Sequence, residues 1–306
     1  QNPNGKWKPD NTRVYLKKFF NVLPLFNKAS IFLNGRQHDS NDFLVFLLEL
    51  LSNCMSYFVD IQINGKNNKK LTENDEKKLG KMDISRVKSY KAWQDEWKIR
   101  WKINGQNKWK YRMSNIADTM CGQFRTTVSC GHKDCDNVSE KFDIFFAITL
   151  PITGKDTVED CMKSFVSSET LDKDNMWYCD KCKRKSCATK RTVVWKTAEY
   201  VIIHLKRFNT VISNIGQMLM KDDRFVRYPV TGLDLSPYVE DTNIRGEKYD
   251  LCAVAVHGGS LRGGHYVCLR KVDNKWWLFD DNQVKPVNNQ VIVNRSAYYL
   301  VYRRAL

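Results

Sequence analysis

The clearest pattern in the first half of the chain is a helical one. Residues 1–36 are polar at first and apolar from Val14 to Leu33. Asp39 or Ser40 can then cap the free backbone N–H groups of a helix start. Phe43, Leu44, Phe46, Leu47, Leu50 and Leu51 follow at spacings that give such a helix a wide apolar face. The stretch 65–81 is rich in Lys, Asn and Glu and reads as a solvated insertion. Trp93, Trp97 and Trp101 recur every four residues, which predicts a packing stripe along one helix face. Asn104–Gly105 between Lys- and Trp-rich runs predicts a tight turn or hairpin.

From Gln123 onward the period changes to that of strands. Phe124–Val128, Phe142–Leu150, Thr192–Trp195, Tyr200–Leu205, Tyr249–Val256, Tyr266–Val272, Trp276–Phe279 and Tyr298–Tyr302 are β-branched and aromatic runs with Gly- or Asn-rich breaks. One short helix is predicted at Val158–Ser167. Helices first and strands later give an α+β fold. There is no internal repeat and no low-complexity tract.

Length and composition narrow the class without naming a function. The 306 residues and the hydrophobic fraction of 42% suffice for a large core in one domain or two. The longest apolar run, Phe43 to Leu51, is interrupted by Glu49 and falls far short of the ~20 residues of a membrane span. No membrane partner and no signal peptide are expected. A first residue of Gln1 rather than Met reads as a piece of something longer. The net charge of +16 suits acidic partners or simple solubility. The basic residues are dispersed among acids without an arginine-rich stripe, so nucleic acid is not the expected partner. Four of the ten cysteines form two tight pairs, Cys130 with Cys135 and Cys179 with Cys182. Such pairs, with no secretory signal, read as metal ligands in a reducing compartment, placing the protein inside the cell, in cytoplasm or nucleus. Cys179 and Cys182 have the C-x2-C spacing of a zinc knuckle. Cys130 and Cys135 are a wider C-x4-C pair, and His132 between them is a candidate replacement ligand.

Chemistry gathers in the last third. Gly258, Gly259, Gly263 and Gly264 lead to His265 at the head of a strand. Glycines allow close approach of a backbone or ligand, and a histidine there can serve as a general base. If the next two strands pair around Asp273–Asn274, an acid near Phe279 can reach His265 and hold its imidazole. Such a pair calls for a Ser or Cys nucleophile from elsewhere. A satisfied turn histidine is the other reading of the same residues.

Four segments together resemble the ubiquitin-specific protease family of deubiquitinating cysteine peptidases. His257–Gly259 through Gly264–Val267 and on to Phe279–Asp281 resembles its histidine box. Gln37 to Leu44 is similar to the Gln-Asp box, usually written QQDAxEFL. Tyr200 to Phe208 resembles the strand ending in HLKRF, and Ala297 to Tyr302 the closing AYxLxY strand. The resemblance implies His265 as the catalytic base, Asp280 as the third triad member and Asp281 as a neighbouring acid. It implies that Gln37, Asp39 and Asp42 help bind the basic tail of ubiquitin, Asp42 standing where the family usually has Glu. Gly263, Gly264 and Tyr266 would line a slot for a diglycine tail. His38 receives no role, and His204 is expected to be packed rather than catalytic. Cys130, Cys135, Cys179 and Cys182 would hold one structural zinc ion at the tip of a "fingers" region, with no catalytic metal.

The implied architecture is a papain-like cysteine peptidase with thumb, palm and zinc-tipped fingers. One catalytic domain would span 1–306, with the remaining thumb helices in 1–120 and fingers and palm in 121–306. The family's cysteine box is not found: no cysteine precedes Cys54, and Cys54 lies on the helix after the Gln-Asp box. The thumb is therefore expected to be incomplete and this chain alone inactive. Two readings stay open: part of an active deubiquitinase whose cysteine lies outside the chain, or a pseudoprotease that binds ubiquitin without cutting it.

Overall fold

The computed structural model describes residues 21–26, 29–34, 38–59, 81–96, 98–103, 106–213, 216–241, 248–260 and 263–305. Gln37, residues 65–80 and Asn104–Gly105 lie outside the described residues. In chain order come helix α1 (Ser40–Cys54), strand β1 (Tyr57–Val59), helix α2 (Lys81–Glu96), strands β2 (Lys98–Ile103) and β3 (Gln106–Met113), and helix α3 (Asn115–Met120). Strands β4 (Gly122–Ser129), β5 (Val138–Phe145) and β6 (Ala147–Pro151) precede helix α4 (Val158–Phe165). Next are β7 (Glu169–Leu171), β8 (Trp177–Cys179), β9 (Arg184–Ser186), β10 (Ala188–Lys196), β11 (Tyr200–Lys206), β12 (Phe208–Ser213) and β13 (Gly216–Lys221). The chain ends with β14 (Leu233–Asp234), β15 (Lys248–Gly259), β16 (Gly264–Val272), β17 (Lys275–Asp280), β18 (Gln283–Val287) and β19 (Ala297–Arg304). Among the described residues no helix is long and apolar enough to cross a membrane.

Helix α1 starts where its cap predicts. The Asp39 carboxylate accepts from Asn41 N–H at 2.7 Å. Its deepest apolar residue is Leu48, which the apolar-face reading passed over, and Ser52 beside it pairs with Ser114 Oγ at 2.6 Å. Leu48, Ala117, Cys121, Phe146 and Ile202 form the smaller core between these helices and the sheet. The tryptophan stripe does not form. Helix α2 stops at Glu96 and Trp101 lies on β2. The alternating run Lys98–Ile103 pairs in register with β3, Ile103 opposite Gln106, so the hairpin signal prevails over the four-residue spacing.

Two larger sheets carry the second half. A four-stranded sheet runs β5-β4-β10-β7. An eight-stranded sheet runs β18-β17-β16-β15-β19-β11-β6, with β14 against β15. The run read as one strand, Phe142–Leu150, is thus split: β5 joins the first sheet and β6 the second, with a break at Phe146. The main core lies under the larger sheet and includes Ile148, Leu150, Ile203, Leu205, Val254, Leu300 and Tyr302. At roughly 25 cal/mol per Å² of apolar surface removed from water, such wholly buried side chains supply the dominant stabilising term.

Candidate functional site

His265 is the second residue of β16, opposite Gly258 of β15. Strands β16 and β17 form the hairpin predicted from Asp273–Asn274. Both turn residues have positive φ, 47° and 61°, and Val272 pairs with Lys275. That double left-handed turn matches the twist of the flanking strands. Leu269 stands opposite Leu278. Side chains two residues apart share a face, so Val267 and His265 on β16 lie on the same side as Asp280 on β17. His265 Nε2 and Asp280 Oδ1 meet at 2.6 Å. The Asp280 hydrogen bond raises the His265 pKa above its ordinary value; desolvation opposes it, and the charges of Asp281 and Asp280 add to the rise. With Nε2 engaged, Nδ1 is the nitrogen left to exchange a proton with a substrate or nucleophile. His265, Asp280 and Asp281 present ligand atoms within 4.8 Å of one another, and no described cysteine belongs to that group.

A second cluster lies at the head of α1. Asp39, Asn41, Asp42, Thr149, His204, Lys206, Phe208 and Tyr298 line a cleft. Asp39 caps α1 with one oxygen and accepts the Tyr298 hydroxyl with the other. Asp42 is exposed, and its carboxyl is pushed up by partial burial and the Asp39 charge, with His38 opposing. His38 itself pairs with Asn34 Oδ1 at 2.9 Å. His204 is packed: Nδ1 meets Thr149 Oγ1 at 3.3 Å, and burial pushes its pKa down to about 4, so the ring stays neutral.

Tyr298 links the second cluster to Tyr266 and His257 on the strands that carry His265, a role the sequence reading did not give it. Its ring is wholly buried and stands 4.8 Å from His204, 5.6 Å from Tyr266, 5.7 Å from Phe208 and 6.0 Å from His257. Burial, with the Asp39 carboxylate next, drives its hydroxyl far above the ordinary phenol range. Tyr266 packs on His257 at 4.5 Å. Gly264 has a structural reason to lack a side chain: a Cβ there would sit 2.1 Å from His257 Nε2. Gly263 faces open space.

The four paired cysteines converge. Cys130 Sγ lies 3.9 Å from Cys182 Sγ, Cys135 Sγ lies 3.7 Å from Cys179 Sγ, and all four sulfurs lie within 4.8 Å of one another. A tetrahedral ion with metal–sulfur bonds of about 2.3 Å requires sulfurs about 3.8 Å apart. A disulfide requires about 2.05 Å. The set therefore fits a closed four-thiolate metal site. The Asn137 amide donates to Cys179 Sγ at 3.2 Å and holds the sulfur in place. His132 is not a ligand. Its Nε2 is engaged by the Lys185 carbonyl at 3.0 Å, and the four sulfurs complete the set without it.

The family model described as "Ubiquitin carboxyl-terminal hydrolase" matches residues 5–302. The chain belongs to that family. Ubiquitin carboxyl-terminal hydrolase 4 of Saccharomyces cerevisiae is 31% identical over 303 residues, covering 90% of this chain and 30% of the relative. Ubiquitin carboxyl-terminal hydrolase 10 of Arabidopsis thaliana is 43% identical over 146 residues, covering 47% of this chain and 15% of the relative. The chain spans less than half the length of each. Among solved structures, the SAGA Ubp8/Sgf11/Sus1/Sgf73 DUB module bound to ubiquitin aldehyde matches with a TM-score of 0.53 and 25% identity, over 62% of this chain and 42% of that one. The α+β fold is thus that of a ubiquitin carboxyl-terminal hydrolase of the deubiquitinase type. Segments far apart in the chain, those of Asp39, Lys206–Phe208 and Tyr298, meet around the one cleft described above.

Proposed function

We propose that this chain carries the base, the orienting acid and the ubiquitin-tail cleft of a deubiquitinating cysteine peptidase. The observation that carries the reading is the His265–Asp280 contact at 2.6 Å on an open strand end. The nucleophilic thiol comes from a cysteine that this chain does not supply, since no described cysteine reaches His265. His265 Nδ1 takes the thiol proton, and the thiolate attacks the carbonyl carbon of the bond after the last glycine of ubiquitin. The protonated imidazole then gives its proton to the leaving lysine amine, which departs and leaves a thioester. Water, deprotonated by the same imidazole, releases the ubiquitin carboxylate and restores the thiol. Asp280 stabilises the imidazolium at each stage.

Asp39 and Asp42 are suited to the basic residues of a ubiquitin tail, because carboxylates accept forked hydrogen bonds from arginine. Gln37 belongs with them by its place in the chain. Gly263, Gly264 and Tyr266 form the wall along which a diglycine end passes to His265. Thumb helices within 1–120, and fingers and palm within 121–306, make up the catalytic domain. Cys130, Cys135, Cys179 and Cys182 hold structural zinc, which closes the tip and takes no part in the chemistry.

Two outcomes test this reading. The full-length protein releases a fluorophore from the ubiquitin C terminus, whereas the purified 306-residue chain does not; cleavage by the chain alone would refute the external nucleophile. A full-length protein that binds ubiquitin but never cleaves it supports the pseudoprotease instead. Elemental analysis of the chain is expected to find about one zinc per molecule, and a metal-free, stably folded protein would sink the zinc assignment.

A further inference from the structure

Lys221 closes β13, opposite Phe208 at the base of the β12–β13 hairpin. Its side chain is only 7% exposed, and lysines are rarely buried unless paired. An ammonium has three donors and no acceptor. Here Nζ donates to the His257 carbonyl at 3.0 Å and the Gly259 carbonyl at 2.9 Å, and it pairs with Asp223 Oδ1 at 3.0 Å. All three donors are engaged.

The two carbonyls straddle Gly258, the strand partner of His265. They are groups that the sheet leaves over. Successive residues of a paired strand turn their backbone groups to opposite neighbours. Ser260 N–H donates to Gly263 O at 2.9 Å, so Ser260 and Gly258 face β16, while His257 and Gly259 face the other way. On that other side β19 begins at Ala297, opposite Val256, and its approach ends with His257 N–H donating to Ser296 O at 3.0 Å. Past that point the Lys221 ammonium stands where a strand would. The turn it holds has little slack: Gly259 has φ +99°, and a Cβ there would lie 2.5 Å from Gly263 O.

We propose that Lys221 is a positioning residue that fastens the β15–β16 turn to the β12–β13 hairpin and so fixes where His265 stands. The hairpin exposes Met218, Leu219 and Met220 immediately before Lys221, each more than half accessible. The proposal rests on His265 being the base of the reaction.

The test uses the full-length protein with a ubiquitin C-terminal reporter, and this chain for imidazole NMR. Lys221→Met is expected to lower kcat about 10- to 100-fold with KM changed less than about threefold. Lys221→Arg, which keeps donors at that place, is expected to recover most of the loss. In the same variants the His265 titration moves toward its ordinary value in Met and stays near wild type in Arg. Asp280 and Asp281 are the charges that act on His265, so such a movement reports geometry rather than loss of a nearby cation. Wild-type kcat and titration in Lys221→Met overturn the proposal. So does a loss of kcat with unmoved titration and no rescue by arginine, the mark of a merely structural lysine. Should Lys221→Met fail to fold, Gly259→Ala strains the same turn without touching the ammonium. It is expected to displace the titration likewise, and a wild-type titration there counts against Lys221. If the unaltered full-length protein cleaves nothing, the peptidase reading fails and the NMR comparison alone decides on the lysine.

Discussion

Alanine at His265 is expected to remove about three to four orders of magnitude of ubiquitin-conjugate cleavage from the full-length protein while ubiquitin still binds. The imidazole is the one group placed to move a proton at the strand end, and no other described histidine shares its surroundings. His204 is held neutral by burial, and burial, with the Lys221 charge, also depresses His257. Binding should persist because the acidic cleft of Asp39 and Asp42 is built on a different element. Single-turnover cleavage and calorimetric binding of ubiquitin separate the two effects, and unchanged turnover rejects the assignment. Asp280→Asn tests the partner by NMR titration of this chain. The Asp280 bond favours the imidazolium, so the neutral, proton-accepting form takes over only above the ordinary pH of about 6.5. Its contribution to folding is therefore complete below that value and is lost as pH rises through the folded pKa. Asparagine should bring the takeover back down, and a His265 titration that stays put would dissociate the pair.

Arg207→Leu is expected to cost about 5 kcal/mol of stability, enough to unfold much of the population of a typical domain. The Arg207 side chain is wholly buried. Its guanidinium donates to the carbonyls of Ala297 at 2.6 Å, Asp222 at 2.8 Å, Arg224 at 2.9 Å and Arg295 at 2.8 Å. It joins the segment after β13 to the segment that opens β19. Leucine leaves four carbonyls without donors, each worth about 1–3 kcal/mol if it stays dry. Lysine is no substitute, because three donors on a point charge cannot reproduce a planar fork. Denaturant titration measures the change, and a loss below about 1 kcal/mol would show that water repairs the site.

What could be read from the sequence was what the chain settles locally. Asp280 lies 15 residues from His265, across a two-residue Asp-Asn turn; the strand pattern called for an acid near Phe279 there, and the family resemblance singled out Asp280. The cysteine pairs were visible as pairs, although nothing in their spacing showed that Lys185 would claim His132. The residues that went unseen act over longer separations. Tyr298 reaches Asp39 across 259 positions, and Lys221 reaches His257 and Gly259 across 36 and 38. The β12–β13 hairpin was missed because Gln217, Met218, Leu219 and Met220 lack the β-branched signature, and pairing with the Phe208–Ser213 strand makes it a ribbon. The tryptophan spacing failed for the opposite reason: a correct period crossed the boundary between α2 and β2.

Strand β19 lies inside the eight-stranded sheet, between β15 and β11, although it follows every other described strand in sequence. During synthesis, then, the sheet has no centre until residues 297–304 have been made. A nascent chain lacking them presents two long open edges, those of β11 and β15, each a template for pairing with other chains. Tyr298 arrives on the same strand, so the acidic cleft gains its hub only then. A chain cut short before residue 297 is expected to lack the hub of the cleft and to aggregate through those two edges.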